Sequence, residues 1–251
     1  MDDGLIEGRN AVIEALRAGV NIDKVFIAKG ETDGALRHIA SVARSAGCVV
    51  SEADRRKLDS ISITRAHQGV IAVASSVSYV TVGDILEIAA QKGEAPLVIL
   101  CDQIMDPHNL GAVVRSCEAA GAHGVIITKH RSAGLTAAVA KASSGAVFRM
   151  AIARAANLTA VIAQLKEAGV WVFGAAADGG TPLWQTDLKG PTALVIGSEG
   201  GGISRLVAKN CDFSISIPMY GKISSLNASV SAAIIMYEAV RQRAGCGGFE
   251  S

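Results

Sequence analysis

From about Pro96 onward the chain repeats one pattern, a short apolar run followed by a helical segment, and this repetition constrains the fold more than any other feature. The runs LVILCD, GVIIT, VWVFGAA, TALVIG and FSISIP are separated by LGAVVRSCEAAG, LTAAVAKASSG, NLTAVIAQLKEAG and ISRLVAKN, and a last helix runs from about Leu226 to Arg243. Strands that are apolar at consecutive positions are buried on both faces, which requires helices above and below a parallel sheet. The hydrophobic fraction of 50% is enough to fill such a core.

Residues 1–75 have a different, shorter rhythm. AVIEALRAG reads as a helix, KVFIAK as a strand and ALRHIASVARSAG as an amphipathic helix; CVVSE and GVIAVAS follow as strands. This is a small α/β domain. The stretch 76–95, SVSYVTVGDILEIAAQKGEA, holds one helix and runs into a turn at Pro96, so the sequence places a linker there. The second domain is expected over 96–245, and residues 246–251 as a frayed tail.

No run of about 18 uninterrupted apolar residues occurs, and the N-terminus MDDGLIEGRN is acidic where a secretory signal is basic and then apolar. No membrane partner and a cytoplasmic location are therefore expected. Cys48, Cys101, Cys117, Cys211 and Cys246 are scattered without paired spacing, so they read as reduced thiols, and no metal site is expected. A net charge of +1 does not announce a nucleic-acid partner, so any RNA site must be a local patch. Residues 1–75 carry ten Lys and Arg against ten Asp and Glu. Within them Arg9, Lys24, Lys29, Arg55, Arg56 and Lys57 are candidate phosphate contacts, although ordinary solvated surface is the simpler reading. His67 and Gln68 either face RNA or form a turn.

Chemistry concentrates at three strand-to-loop junctions of the second domain, where open α/β sheets place their sites. In LCDQIMDPHNLGAVVRS, residues 100–116, Pro107 closes a turn, Asn109 is read as the cap of a helix beginning near Leu110, and Arg115 lies on that helix. In LVIGSEGGGISRL, residues 194–206, the glycines fit neither G-x-G-x-x-G nor a P-loop. Glu199 in this loop would repel a phosphate, so the loop suits a cofactor that approaches the backbone and carries no phosphate. In SISIPMYGKISSLNASVSAAI, residues 214–234, Ser224, Ser225 and Asn227 gather at a helix start, and a cap needs only one of them.

In this order and spacing, DPHNLGAVVRS, LVIGSEGGGIS and IPMYGKISSLNASVSAAI resemble the three signature motifs of the SpoU/TrmH family within the SPOUT methyltransferases. GRNAVIEAL and HQGVIA extend the resemblance to the RNA-binding domain of the members that modify a guanosine of 23S ribosomal RNA. One departure is Ala228, where the third motif more often has valine, a change expected to bear on packing.

The resemblance implies a trefoil-knotted, parallel-sheet catalytic domain behind a small, ribosomal-protein-like α/β domain that binds RNA. It implies methyl transfer from S-adenosyl-L-methionine to a ribose 2′-hydroxyl and a homodimer built on the catalytic domain. Carried over to this chain, Ile196, Gly197, Ser198, Glu199, Gly200, Ile217, Pro218, Met219, Ser225 and Leu226 form the cofactor pocket. Asn109, Arg115, Glu199, Ser225 and Asn227 surround the transfer. His108 is a rival base, because imidazole titrates nearer neutrality. The substrate alternatives are a transfer RNA or another ribosomal position. A non-catalytic assembly factor would be expected to lack these polar residues. A dinucleotide-dependent dehydrogenase would need an acidic residue about twenty positions after the glycine loop, and Asp212 comes too early.

Overall fold

The computed structural model describes residues 4–30, 33–75, 77–177 and 179–244. The expected tail 246–251, with Cys246, lies outside them. The chain divides into two compact units, Met1–Ser78 with Gly134–Ala138, and Tyr79–Ala133 with Val139–Ser251.

The first unit contains β1 (Leu5–Glu7), α1 (Arg9–Arg17), β2 (Ile22–Ala28), α2 (Gly34–Ser45), β3 (Val49–Ala53), α3 (Arg55–Ile61) and β4 (Val70–Ala74). Its sheet has the order β1-β4-β2-β3, with β2 and β3 parallel and the other pairs antiparallel. Val25, Ile27, Val70 and Ala72 share one core with Val12 and Leu16 of α1 and Leu36 and Ile39 of α2. Ile71, alternating to the other face, clusters with Ala28, Ala53 and Leu58 of α3. The sequence reading missed β1 and α3. Helix α3 opens on Arg55, Arg56 and Lys57, where the helix dipole disfavours cations, and Leu58, with no exposed surface, anchors it instead.

The second unit begins inside the stretch read as a linker. Helix α4 (Val82–Lys92) has a capping box, in which Asp84 N–H donates to Thr81 Oγ1 at 3.1 Å and Thr81 N–H donates to the Asp84 carboxylate at 2.7 Å. Ile85 and Ala89 are fully buried, and Ile85 belongs to the main core. There follow β5 (Leu97–Cys101), α5 (Pro107–Ala119), β6 (Gly124–Thr128), α6 (Ala137–Ala142), β7 (Ile152–Ala155), α7 (Leu158–Glu167), β8 (Trp171–Ala175), β9 (Thr181–Pro182), β10 (Thr192–Ile196), α8 (Arg205–Asn210), β11 (Phe213–Ser216) and α9 (Ala228–Ala244). The sheet is parallel throughout, in the order β7-β6-β5-β10-β8-β11-β9. The expected parallel α/β layering is present, with two short edge strands, β7 and β9, that the sequence reading missed. β10 enters between β5 and β8 after β8 has formed, an order compatible with a knotted path.

Along β5 the period of two divides the burial. Val98 and Leu100 join the core with Ile162, Leu165 and Val195, while Leu97, Ile99 and Cys101 alternate with them. Each fully buried Leu, Ile or Val stabilises the fold by roughly 1.5–3 kcal/mol. Helices α5 and α9 pack together, with Cys117 Sγ 3.5 Å from Met236 Sδ. Cys48, Cys101 and Cys117 are buried free thiols, and burial pushes Cys101 up to about 12.

Two helix starts differ from the sequence reading. Helix α5 begins at Pro107, not near Leu110, and its cap is Asp106, whose carboxylate accepts from His108 N–H at 3.0 Å. Proline at the first helical position has the right φ and no N–H to satisfy, so Asp106–Pro107 outcompetes Asn109 as the start. The Asn109 side chain is thereby released from capping. Helix α9 begins at Ala228, two residues later than read, because Asn227 caps it.

Candidate active site

The C-terminal ends of β8, β10 and β11 open onto one cleft of about 610 Å³ within the second unit. Its position, beyond the carboxyl ends of parallel strands near a reversal of strand order, follows the rule for open α/β sheets. β10 delivers Ile196 and the loop that carries Gly197, Ser198, Glu199 and Gly200, and all five line the cleft. The segment after β11 adds Ile217, Met219, Ser225, Leu226 and Asn227. Pro218 lies between two lining residues without lining the cleft itself. Ala228, the position that departs from the motif, is buried and also lines it.

The glycine loop is held by its own backbone. Ser198 N–H donates to the Gly202 carbonyl at 3.1 Å, and Gly202 N–H donates back to the Ser198 carbonyl at 2.9 Å. This fold-back leaves no room at Gly197, where a Cβ would stand 2.0 Å from the Gly202 carbonyl carbon and 2.2 Å from Ile203 N. Here the need for glycine arises from the loop itself and not from a ligand. Asp102, nearly fully buried just after β5, pins the far side of the loop by accepting from Ser204 N–H at 2.7 Å.

Three of the polar residues expected around the reaction meet at one point. The Asn227 side-chain amide donates to Asn109 Oδ1 at 2.9 Å and to the Glu199 carboxylate. The Asn227 oxygen meanwhile accepts from Ser229 N–H at 2.9 Å and Val230 N–H at 3.3 Å, capping α9. One side chain thus joins the first turn of α5, the loop after β10 and the segment after β11. Its capping and bridging roles use opposite ends of the same amide.

Arg115 and His108 are not brought to the cleft. Arg115 is six residues beyond Asn109 on α5, about 240° further round the helix at ~100° per residue. It is exposed and donates from Nη1 to Ser144 Oγ at 3.0 Å. His108 is exposed in the first turn of α5 and lines no part of the cleft.

The sequence reading missed Ala175, Ala176 and Ala177, which wall the cleft after β8, and Ser231 and Ile235 of α9. The only sequence signal for that wall was a strand running into small residues, GAAADGG. Asp212, the carboxylate nearest to a dehydrogenase pattern, sits at the opposite end of the sheet, where it accepts from Val172 N–H at 2.9 Å and pairs with Lys166 at 2.8 Å. That position excludes it from binding a ribose at the cleft.

The first unit keeps most of its candidate RNA contacts occupied. Arg9 pairs with Asp33 at 2.5 Å and donates from Nε to the Gln68 carbonyl at 3.1 Å. His67 is buried; its Nδ1 accepts from Gly69 N–H at 3.0 Å and its Nε2 lies 3.0 Å from Asp59, so this side chain builds the turn, while Gln68 beside it is exposed. Lys24 and Lys57 approach the Phe26 ring, with Nζ at 4.7 and 5.5 Å from its centre. Among the described residues no group of His, Cys, Asp and Glu is placed to hold a metal ion, and no helix is long and apolar enough to cross a membrane.

Comparison with known proteins agrees with this geometry. Residues 96–237 match the SpoU rRNA Methylase family, and residues 5–80 match the RNA 2′-O ribose methyltransferase substrate-binding domain. The TrmH family protein YacO of Bacillus subtilis is 42% identical over 94% of this chain and 94% of its own length. An uncharacterized tRNA/rRNA methyltransferase of Mycolicibacterium vanbaalenii is 43% identical over 96% of this chain and 77% of its own. Among solved structures, the SpoU methyltransferase AviRb from Streptomyces viridochromogenes, crystallised with AdoMet, superposes with a TM-score of 0.60 at 26% identity, covering 95% of this chain and 90% of that one. The motifs, the parallel sheet, the cleft at its carboxyl end and the family matches together place this chain in the SpoU/TrmH family of RNA methyltransferases.

Proposed function

We propose that this protein transfers the methyl group of S-adenosyl-L-methionine to the ribose 2′-hydroxyl of a guanosine in 23S ribosomal RNA. The observation that carries the reading is the meeting of Asn109, Glu199 and Asn227 beside a cleft of about 610 Å³. That volume is within the usual range for a cofactor pocket. Ile196, Ile217 and Leu226 offer apolar surface to an adenine, main chain around Gly197 and Leu226 offers hydrogen bonds, and Glu199 favours a cation over a phosphate. Bound there, S-adenosylmethionine would supply an electrophilic methyl on a cationic sulfur.

The chain's own task is to orient the ribose and manage the proton of its weakly acidic hydroxyl. Asn109 and Asn227 fix the loops, and Ser225 has a hydroxyl free to meet the ribose. Arg115, which α5 turns away from this chain's own cleft, is assigned to the RNA phosphate adjoining the reacting ribose, where a preorganised cation favours the transfer step. RNA recognition is assigned to residues 1–75 and transfer to 96–245; helix α4, within the intervening 76–95, is part of the catalytic body.

The surface of α9 supports a homodimer through the catalytic domain. Val230, Ala233, Ile234 and Tyr237 recur at the helical period on a face that is half-buried or exposed, with Val230 46% and Tyr237 47% accessible. The buried stripe, Ala228, Ala232, Ile235, Met236 and Ala239, is separate from it. A cytoplasmic location fits an RNA substrate.

The test is incubation with labelled S-adenosylmethionine and unmodified 23S rRNA or transfer RNA, followed by mapping of the product. The expected outcome is a single 2′-O-methylguanosine in 23S rRNA. Methylation confined to transfer RNA would move the substrate to that class, a base-methylated product would overturn ribose chemistry, and no product on either RNA would favour an assembly role.

A further inference from the structure

The partner of Arg115 occupies an unusual backbone position. Helix α6 ends at Ala142, and the chain turns through Ser143, Ser144 and Gly145. The turn closes through Ser143 N–H to the Val139 carbonyl at 2.8 Å, Ser144 N–H to Lys141 at 3.1 Å and Gly145 N–H to Ala140 at 3.0 Å. Ser144 has φ +52° and Gly145 φ +82°, so both are left-handed. A residue just past a helix end in this conformation is most often glycine, which adopts it without a Cβ penalty. This chain has serine.

The two serines do different work. Ser143 builds the turn: it is buried, its Oγ donates to the Ala140 carbonyl at 3.0 Å and accepts from Val147 N–H at 3.3 Å. Ser144 is exposed, and among the described residues its hydroxyl bonds to Arg115 alone. The turn is seated firmly against α5, because a Cβ on Gly111 would come 2.5 Å from Ala142 Cβ and 2.9 Å from Ser143 N. Gly111 is one turn before Arg115. The close approach therefore fixes Ser144 relative to the arginine's own helix. An exposed bond of this kind contributes little to stability, whereas a fixed acceptor restricts a long side chain to few rotamers. A strained local conformation retained with no gain in packing points from structure toward function.

We propose that Ser144 is a positioning residue for methyl transfer, holding the Arg115 guanidinium by one nitrogen so that its remaining donors are aimed at the RNA. This rests on the reading of Arg115 as a residue of the transfer step. Ser144→Gly is the informative variant, since it removes the exposed hydroxymethyl group, whose hydroxyl bonds Arg115, and suits the left-handed turn. Its melting temperature should stay the same or rise, its affinity for S-adenosylmethionine should stay within about twofold, and its single-turnover rate on 23S rRNA transcript should fall about tenfold, as expected for loss of one hydrogen bond to a charged group in partial solvent. Ser144→Asn tolerates the same backbone and restores an acceptor, so it should recover most of the rate. In an Arg115→Ala background, itself roughly a hundredfold slower, Ser144→Gly should have no further effect. A normal rate for Ser144→Gly beside a depressed Arg115→Ala overturns the positioning role alone. The same tenfold loss in both backgrounds also overturns it, by showing that the serine acts without the arginine. A normal rate for Arg115→Ala overturns the underlying reading and this inference with it.

Discussion

The loops of the two units use polar residues in opposite ways. In the first unit they close on one another: Glu7 takes up Ser62, Ile63 and Thr64, Arg9 takes up Asp33 and the Gln68 carbonyl, and His67 takes up Asp59 and Gly69. In the second unit, Glu199, Ser225 and Asn227 line a cleft beyond the strand ends; Asn227 is fully engaged in joining Asn109, Glu199 and the start of α9, while Glu199 and Ser225 keep hydrogen-bonding capacity facing the cleft. A closed set of polar contacts makes a rigid scaffold. An open set, placed where a parallel sheet ends, leaves donors and acceptors for something that binds.

The sharpest way to break the open set is Gly197→Ala. The added methyl meets main chain that cannot rotate away, so the 198–202 fold-back must shift. A strain of roughly 2–3 kcal/mol is expected, as for overpacked sites. Calorimetric titration should show affinity for S-adenosylmethionine lowered on the order of a hundredfold. Unchanged affinity would mean that this loop does not form the cofactor wall.

A smaller effect separates the two duties of Asn227. Asn227→Ala removes both the cap and the bridge, and should cost ~1 kcal/mol of stability as well as turnover. Asn227→Asp keeps an oxygen to cap α9 but loses the amide that joins Asn109 to Glu199, and it puts a second carboxylate beside Glu199. It should melt within a few degrees of wild type while turning over at least about tenfold more slowly, a loss of the size expected when a hydrogen bond to a charged group goes. Wild-type turnover in the aspartate variant would reduce Asn227 to a helix cap.

What was legible in the sequence follows the same division. Strands β5, β6, β8 and β10 were readable because burial on both faces leaves an uninterrupted apolar run. β1, β7 and β9 were not, since two to four residues carry no period and their strand form comes from a neighbour in the sheet. The glycine loop and Asn227 were found through the polarity of their segments, whereas Ala175 to Ala177 carry no chemistry, and a strand running into small residues was their only sign. Asn109 was read both as a cap and as a site residue, and the capping was wrong, because Asp106 and Asn109 are both good caps and the intervening proline decides between them. Arg115 was grouped with the cleft by its place in a motif, and the turn of α5 carries it elsewhere.

The least effect is expected where the closed set is opened, at Glu7 in the first unit. Partial burial works against its ionisation, but hydrogen bonds from Thr64, Ile63 and Ser62 outweigh that and bring its carboxyl down to about 2. A depressed acid stabilises the fold above its unfolded value, near 4.5, and that contribution is lost as pH falls from there through about 2. Glu7→Gln should therefore weaken the 62–64 loop at neutral pH and be less sensitive to acid in that window. Because the carboxylate is partly solvated, the cost should be on the order of 1 kcal/mol after screening. It should appear as faster hydrogen exchange at the Ile63 and Thr64 amides, the two backbone donors to Glu7. Affinity for S-adenosylmethionine should not change, since every residue lining the cleft belongs to the second unit. A large loss of cofactor affinity in this variant would show that the two sets of loops are energetically coupled, and would undo the contrast between scaffold and site.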